Sequence, residues 1–437
     1  MGRKKRKAVE GMKQHSFVIL GMGDRGKNTY GMEFLAQPER AVIRAIAETD
    51  PERRSLGGEA FGIPEELRFD SAEALLAQPR LAEVACVCTQ DRQHVPMAVA
   101  AMKKGYDVLL EKPVSPELEE LREIVRVSRE TRRRVIVCHV LRYTPFFRAI
   151  KRVIDSGRIG RVVNIEALEN VVYWHQAHSF VRGNWRRTDE TSPMILAKCC
   201  HDLDYLVWLS GSRVKTVSSF GSLLYFRPEN APAGAADRCL GGCAAKDACP
   251  YDAEKIYLTN KATGVLAGKT GWPVCVLSEH PTEETIRAAI EIGPYGRCVF
   301  RCDNDVVDNQ IVNLQMASGA ALTLTMSAFT ANGGRSIRVL GTLGEIRGEM
   351  RENGIHVTVF GRETEWIDCS NSDGAPKGHG GGDHGLVAAL LDCLDGAQPE
   401  GITTLETSVE SHLAGLAAEQ SRLHGGAPVD LAGLRGE

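Results

Sequence analysis

The sequence contains no apolar run near the length of about 18 residues that a membrane-crossing helix requires, so no membrane span is expected. It also lacks a surplus of charge of either sign. Its 53 basic and 56 acidic side chains leave a net charge of −3, which gives no basis for nucleic acid as a partner. The basic start, Arg3-Lys4-Lys5-Arg6-Lys7, has no apolar segment behind it and so is not a secretory signal. Residues 1–14 are instead expected to form a disordered, solvated tail. With no export signal, a cytoplasmic location is expected, where the 13 cysteines stay reduced and a disulfide scaffold is excluded. What remains is ordinary globular material. The 437 residues, 43% hydrophobic and 25% charged, suffice for two or three domains of about 150 residues each.

Strand and helix patterns alternate between residues 15 and 140. Short apolar runs at 17–20, 41–47, 84–88, 106–110 and 134–138 are separated by helical stretches starting at Asp24, Pro51, His94 and Pro116. Unbroken apolar strands divided by helices predict a parallel sheet covered on both faces, with right-handed crossovers. The fold class is therefore α/β, with a doubly wound Rossmann dinucleotide-binding domain at 15–140. From 141 to 437 the character changes. After a helix near 145–156, alternating strand patterns at 161–172, 311–315, 321–326, 337–340 and 357–360 have Gly or Asn turns, not helices, between them. They predict a second α/β domain for substrate and oligomerisation, with a large, mostly antiparallel, open sheet. Helices near 383–394 and 404–423 close it, and a Cys-rich insertion at 227–255 interrupts it.

Gly21-Met22-Gly23-Asp24-Arg25-Gly26 stands between the first strand and the first helix. There Gly21 permits a tight turn, Gly23 leaves room for a pyrophosphate, and Gly26 lets the helix lie close on the sheet. The helix start at Asp24 and Arg25 offers unpaired N–H groups to phosphate. About 20 residues on, Glu48 and Asp50 end the second strand, where a carboxylate accepts from ribose hydroxyls and repels a 2′-phosphate. This favours NAD, while Arg25, Arg53 and Arg54 nearby keep NADP open. Asp50, just before Pro51, is equally suited to capping the second helix.

Glu111-Lys112-Pro113 follows the fourth apolar strand. Thr89 and His94 precede it in T-x-x-x-x-H spacing, and His201-Asp202-Leu203-Asp204 lies downstream. Together with the glycine fingerprint, these residues resemble the Gfo/Idh/MocA family of NAD(P)-dependent oxidoreductases over residues 15 to 425. The resemblance implies hydride transfer between NAD(P) and a hydroxyl or ketone of a sugar, a cyclic polyol or a related small molecule. It implies a homo-oligomer formed through the open sheet of the second domain. It places Thr89, His94 and Glu111 at the cofactor, gives Lys112 contact with both substrate and cofactor, and makes His201 the general acid/base. The family usually has an aspartate four residues before that histidine. Here the position is Ala197, and Lys198 beside it replaces a carboxylate with a cation.

The chemistry of these residue types agrees. Oxidising an alcohol requires a base for the hydroxyl proton while hydride leaves carbon, and imidazole, with an ordinary pKa near ~6.5, suits that task. An ammonium beside the oxygen stabilises developing alkoxide charge. Taken alone, His201 reads equally well as a helix histidine packed by Asp202 or Asp204. Substrate-facing candidates are Trp174, His178, Arg182 and Trp185 in one loop, with Arg142 and Lys198. Aromatic rings suit sugar CH faces, and arginines fork onto carboxylate or phosphate. A solvated loop anchored by two tryptophans is the alternative.

Cys239-x3-Cys243-x5-Cys249 lies in a Gly-rich segment and is a candidate clamp for a soft metal, zinc first; packed free thiols are the alternative. Two other functions compete with the dehydrogenase. One is an NAD-retaining glycoside-cleaving enzyme that works by transient oxidation and elimination. The other is a non-catalytic dinucleotide sensor.

Overall fold

The computed structural model describes residues 13–370 and 379–436, so the tail expected at 1–14 lies outside the described residues except for Lys13 and Gln14. The chain forms two compact units, one of Met1–Arg148 with Ser370–Val409 and one of Ala149–Cys369 with Glu410–Glu437.

The first unit is built on β1 (His15–Leu20), β2 (Ala41–Ala47), β3 (Arg68–Phe69), β4 (Val84–Val87), β5 (Asp107–Leu110) and β6 (Val135–Val137). Their order is β3-β2-β1-β4-β5-β6, and every pairing is parallel. Phe17 to Leu20 and Val84 to Val87 are fully buried, as expected for strands covered on both faces. Leu20 pairs with both Ala47 and Val87. The carboxyl ends of β1, β2 and β4 are therefore level, at the switch point where strand order reverses and ligands bind in such sheets.

Residues 379–409 were expected to belong with the second domain, yet they pack in the first unit. The helix Gly382–Leu394 buries Leu386, Val387 and Leu390 in the same core as Phe17, Ile19, Phe34 and Ile43. Val137 N–H donates to Thr403 O at 2.8 Å, so the returning chain satisfies the open edge of β6. That edge is invisible in local sequence, because nothing within the strand reports which partner it lacks.

The second unit holds β7 (Val162–Val172), β8 (Val214–Ser222), β9 (Asn309–Met316), β10 (Ala321–Thr330), β11 (Gly334–Gly341), β12 (Gly344–Glu349), β13 (Gly354–Val359), β14 (Glu365–Asp368) and β15 (Val429–Asp430). They form one sheet of order β14-β13-β12-β11-β7-β10-β9-β8-β15. Only β7 and β10 pair in parallel; the rest are antiparallel. One face buries Ile165, Ala167, Val312, Leu314, Leu322, Leu324 and Val339, against which the helix Cys200–Ser210 lies. The insertion is larger than the loop expected at 227–255. Everything between Ser222 and Asn309 lies outside the sheet. Short helical turns there carry Ile256, Tyr257, Val274, Ile286 and Ile290 into a core of their own.

Candidate active site

The first unit assembles a cradle at the ends of β1, β2 and β4. Gly21 has φ +95°, and a Cβ there would lie 2.6 Å from Cys88 O. A Cβ on Gly26 would lie 2.0 Å from Gly21 O, so the helix start presses directly on the turn. Gly23 differs, because a Cβ there would meet nothing within 4 Å among the described residues. The middle glycine faces open space, as a backbone that admits a pyrophosphate must. Next to Gly21, whose Cβ position lies 3.2 Å from Thr89 N, the Thr89 Oγ1 is buried with no hydrogen-bond partner among the described residues. Open space at Gly23, an unspent hydroxyl at Thr89 and a helix opening at Asp24 fit a dinucleotide.

Glu48 braces the loop. Its Oε2 accepts from Met22 N–H at 2.7 Å and its Oε1 from Asp50 N–H at 3.0 Å. Asp50 accepts from Arg53 N–H at 2.9 Å and so caps the helix Pro51–Ala60. Arg25 is drawn inward. It donates to Glu111 Oε1 at 2.5 Å, to Asp383 Oδ1 at 2.8 Å and to the Tyr30 hydroxyl. Tyr30 in turn donates to Glu111 at 2.6 Å. Burial alone would raise Glu111, but the Arg25 and Lys112 charges and these hydrogen bonds hold it below its ordinary value. Asp383 is likewise held low, where donation from His379 and the Arg25 charge outweigh burial.

Glu111 Oε2 also accepts from Lys112 N–H at 2.9 Å, which fixes the backbone that carries the lysine. The ring of His94 bridges Pro113 O at 2.6 Å and Thr89 O at 3.0 Å. It therefore ties the loop after β4 to the Glu-Lys-Pro turn. His139, directly after Cys138, was missed in the sequence. It is buried, and burial together with the Arg142 and Lys112 charges pushes it well below the ordinary histidine value. The first unit thus gathers Lys112, His139 and Arg142. The available signal was a histidine just past the end of a parallel strand.

In the second unit, His201 occupies the first turn of the helix Cys200–Ser210 and is nearly enclosed. Its neighbour Asp202 accepts from Arg335 at 2.7 and 3.2 Å. Arg335 reaches Glu169 at 2.8 Å, and Glu169 reaches Lys198 at 3.3 Å. Burial raises Asp202 despite the opposing Arg335 charge, and the Glu169 carboxylate adds to the rise. Lys198 therefore belongs to an ionic cluster. Glu169 and Arg335 had a readable signal, since each is a charged residue on a strand otherwise alternating apolar inward.

The loop candidates divide. His178 and Arg182 are enclosed in the core of the insertion. His178 bonds Tyr257 OH at 3.0 Å, and burial with the Arg182 charge lowers it to about 3. Trp174 is half-buried, its ring centroid 5.3 Å from that of Trp272, and Trp185 lies half-buried 6.5 Å from Phe180. The zinc expectation at Cys239, Cys243 and Cys249 is not supported. Among the described residues, no three His, Cys, Asp or Glu side chains are arranged to hold a metal ion. All 13 cysteines are free.

A Rossmann sheet with a dinucleotide cradle, joined to a second α/β unit, defines a class of NAD-binding oxidoreductase. Residues 15–139 match the oxidoreductase family NAD-binding Rossmann fold, and residues 151–431 match the family's C-terminal alpha/beta domain. The chain belongs to the Gfo/Idh/MocA family. It is 24% identical over 366 residues to YteT of Bacillus subtilis (strain 168), named as an oxidoreductase, covering 80% of this chain and 82% of that one. It is 26% identical over 185 residues to inositol 2-dehydrogenase of Corynebacterium glutamicum (strain R), covering 42% of this chain and 47% of that one. Among solved structures it resembles an oxidoreductase from Agrobacterium radiobacter in complex with NAD+, L-tartaric acid and magnesium, with TM-score 0.67, 17% identity and coverage of 97% and 100%. It also resembles an NAD+-complexed inositol dehydrogenase homolog from Azotobacter vinelandii, with TM-score 0.67, 15% identity and coverage of 96% and 97%. Likenesses at that identity concern the fold.

Proposed function

We propose that this chain is an NAD-dependent dehydrogenase acting on a hydroxyl of a sugar, a cyclic polyol or a related small molecule. The observation that carries the reading is the cradle: open space at Gly23 among the described residues, and the unspent Thr89 hydroxyl next to Gly21, at the switch point of a parallel sheet. Gly21, Gly23, Gly26, Asp24 and Thr89 would hold the dinucleotide, with Glu48 facing its ribose. When bound, NAD accepts the hydride. Arg25 is committed to Glu111 and Asp383, which leaves the Glu48 carboxylate to favour NAD over NADP. Lys112 stabilises the substrate oxygen as it becomes alkoxide-like, and His201 accepts its proton. Glu111 positions Lys112 through its backbone. Trp174, Lys198, Arg142 and Trp185 are the substrate contacts this reading retains, whereas His178 and Arg182 serve the insertion core. The inositol 2-dehydrogenases among the relatives support a polyol or sugar.

The free thiols support a reducing, cytoplasmic location. Among the described residues no helix is long and apolar enough to cross a membrane. We also propose a homo-oligomer formed through the outward face of the nine-stranded sheet. That face carries exposed Leu168, Ile311 and Phe220 in one cross-strand row.

A panel of sugars and polyols, followed by NADH absorbance, tests the activity. NAD-dependent turnover that falls at least about a hundredfold in Lys112→Ala and in His201→Ala is expected. Leaving-group release from glycosides with retained NAD and no NADH would replace this reading by the elimination mechanism. Unaltered biological activity in both variants would replace it by a sensor.

A further inference from the structure

Three cations in and around the insertion bond carbonyl oxygens where a carboxylate would be usual. Arg182 is 1% exposed. Its Nε donates to Arg297 O at 2.7 Å, and its Nη2 to Tyr251 O at 2.8 Å and Cys239 Sγ at 3.4 Å. Arg238, half-buried, donates through Nη2 to Ile290 O at 2.9 Å and to Gly293 O, at the carboxyl end of the helix Glu283–Ile292. Lys255 donates to Lys246 O at 2.9 Å, Asp247 O at 2.6 Å and Cys249 O at 3.2 Å. Among the described residues none of the three bonds a carboxylate. Carbonyl groups offer partial charges, whereas a buried guanidinium ordinarily has a full anion beside it.

Two donors are left over, and both belong to arginines that border one cavity. Arg182 Nη1 and Arg238 Nε are each buried with no hydrogen-bond partner among the described residues. The cavity that the two arginines line measures about 20 Å³, room for one water or one monatomic ion. The backbone explains why they meet there. Arg238 and Arg297 form an antiparallel bridge, and Arg182 donates to the Arg297 carbonyl. Gly296 lets the helix end close on Arg238, since a Cβ there would lie 1.6 Å from Ile290 O and 3.0 Å from Arg238 Nη2. Much of the remaining wall is apolar, with Ala235, Val299 and Phe300. Asp252 is the carboxylate on it. Its Oδ1 accepts from Lys255 N–H at 3.0 Å, and it bonds neither arginine. The Tyr257 hydroxyl near Arg182 is engaged with His178 at 3.0 Å. Two guanidinium charges against one carboxylate leave one positive charge unanswered.

We propose that this cavity binds one monatomic, monovalent anion, chloride under physiological conditions, held by the guanidinium groups of Arg182 and Arg238. The charge balance sets the valence, because one negative charge neutralises what the wall leaves over. The volume sets the size, because sulfate and phosphate carry a shell of oxygens that about 20 Å³ does not admit. The mixed wall favours a halide, which loses less hydration on entering apolar surroundings than a carboxylate does. A water would accept from the same N–H groups but would leave the charge unbalanced. The bound ion would join the stretch Gln176–Arg182 to the segments at Arg238 and Arg297, and so hold the insertion's own core together. The site needs no substrate and no dinucleotide, and it stands apart from the dehydrogenase reading.

Full-length protein is dialysed into sodium gluconate and titrated with sodium chloride at constant ionic strength, and crystals are grown with bromide as the halide. The thermal midpoint is expected to rise with chloride and with bromide and then to level off, because a ligand bound by the folded chain alone stabilises it. Sulfate at matched ionic strength should not reproduce the rise. Anomalous scattering from bromide is expected to place one ion between Arg182 and Arg238. In Arg238→Met the chloride concentration at half the rise should increase at least about tenfold, the worth of one charge-assisted hydrogen bond. Arg182→Met should abolish the chloride dependence; if that variant fails to fold, Arg238→Met and the parent titration decide. Equal midpoints in chloride and gluconate overturn the proposal. So does a cavity that holds water and gives no anomalous peak. A peak without any halide dependence of the midpoint means an adventitious ion only, and overturns it as well, as does an unchanged dependence in Arg238→Met.

Discussion

Gly21 and Gly23 stand two residues apart and answer to different constraints. Gly21 is needed by the fold, because its φ of +95° and the 2.6 Å approach to Cys88 O both exclude a side chain. Gly21→Ala should destabilise the first unit by about 2–4 kcal/mol, read as a lower denaturant midpoint without ligand. Gly23 is needed only by what binds, because a methyl there meets nothing among the described residues. Gly23→Ala should leave that midpoint unchanged and weaken NAD binding on the order of tenfold, about 1.4 kcal/mol, by calorimetry. Equal loss of stability in both variants would contradict the division of roles. His178 supplies a second test at this scale. Its folded value of about 3 lies below its ordinary 6.5, so the unfolded chain takes up the proton first as pH falls. The stabilising contribution is complete above about pH 6.5 and is lost between there and about pH 3. It amounts to at most about 4–5 kcal/mol, less whatever local opening recovers. Urea midpoints measured across this window should fall less steeply in His178→Phe than in the parent. Identical slopes would mean that the imidazole already reaches water.

Arg335 connects three elements, β11 through its own backbone, β7 through Glu169 and the helix Cys200–Ser210 through Asp202. Removing it leaves two buried carboxylates without their guanidinium, which costs about 3–5 kcal/mol where such pairs have been broken. Arg335→Met should show that loss in equilibrium denaturation, and adding Asp202→Asn should recover part of it. A loss below roughly 1 kcal/mol would mean that the cluster is wetter than its burial implies. The same elements show what the sequence made legible. The strand Ala41–Ala47 falls where its apolar run predicts, and Val162–Val172 begins one residue later than expected, because strong local patterns set both. Glu48, Lys112 and His201 stand out in the sequence by the types of their neighbours, and their chemical roles rest on the proposed function. The partnership of Arg25 with Asp383 was not, because the two lie at opposite ends of the chain and meet only when Gly382–Leu394 packs back into the first unit. The strands β12 and β15 were missed for a related reason. Gly344–Glu349 is glycine-rich and charged, and Val429–Asp430 is two residues long, so each is a strand only through its neighbours.

The nine-stranded sheet poses a question for the molecule as a whole. Its inner face is filled by apolar side chains and the helix Cys200–Ser210, while the outer face is mostly polar, with Asn313, Thr323 and Arg338 at outward positions. Across that polar field runs one row of a different kind. Leu168 on β7 pairs with Thr325 on β10, Thr325 with Ile311 on β9, and Ile311 with Phe220 on β8. Leu168, Ile311 and Phe220 are 42%, 45% and 57% exposed. Isolated exposed apolar residues are common and signify little, but three aligned on a sheet face form a patch that a second copy can bury. If this face joins copies of the chain, Leu168→Glu combined with Ile311→Glu places two carboxylates at the centre of the contact. Light scattering should then fall from a multiple of the chain mass to the mass of one chain. The denaturant midpoint should stay within about 1 kcal/mol at high dilution, because neither residue supports the inner core. A parent protein that runs as a single chain at micromolar concentration, or a double variant that assembles as the parent does, would remove this face from the account and leave the row as surface.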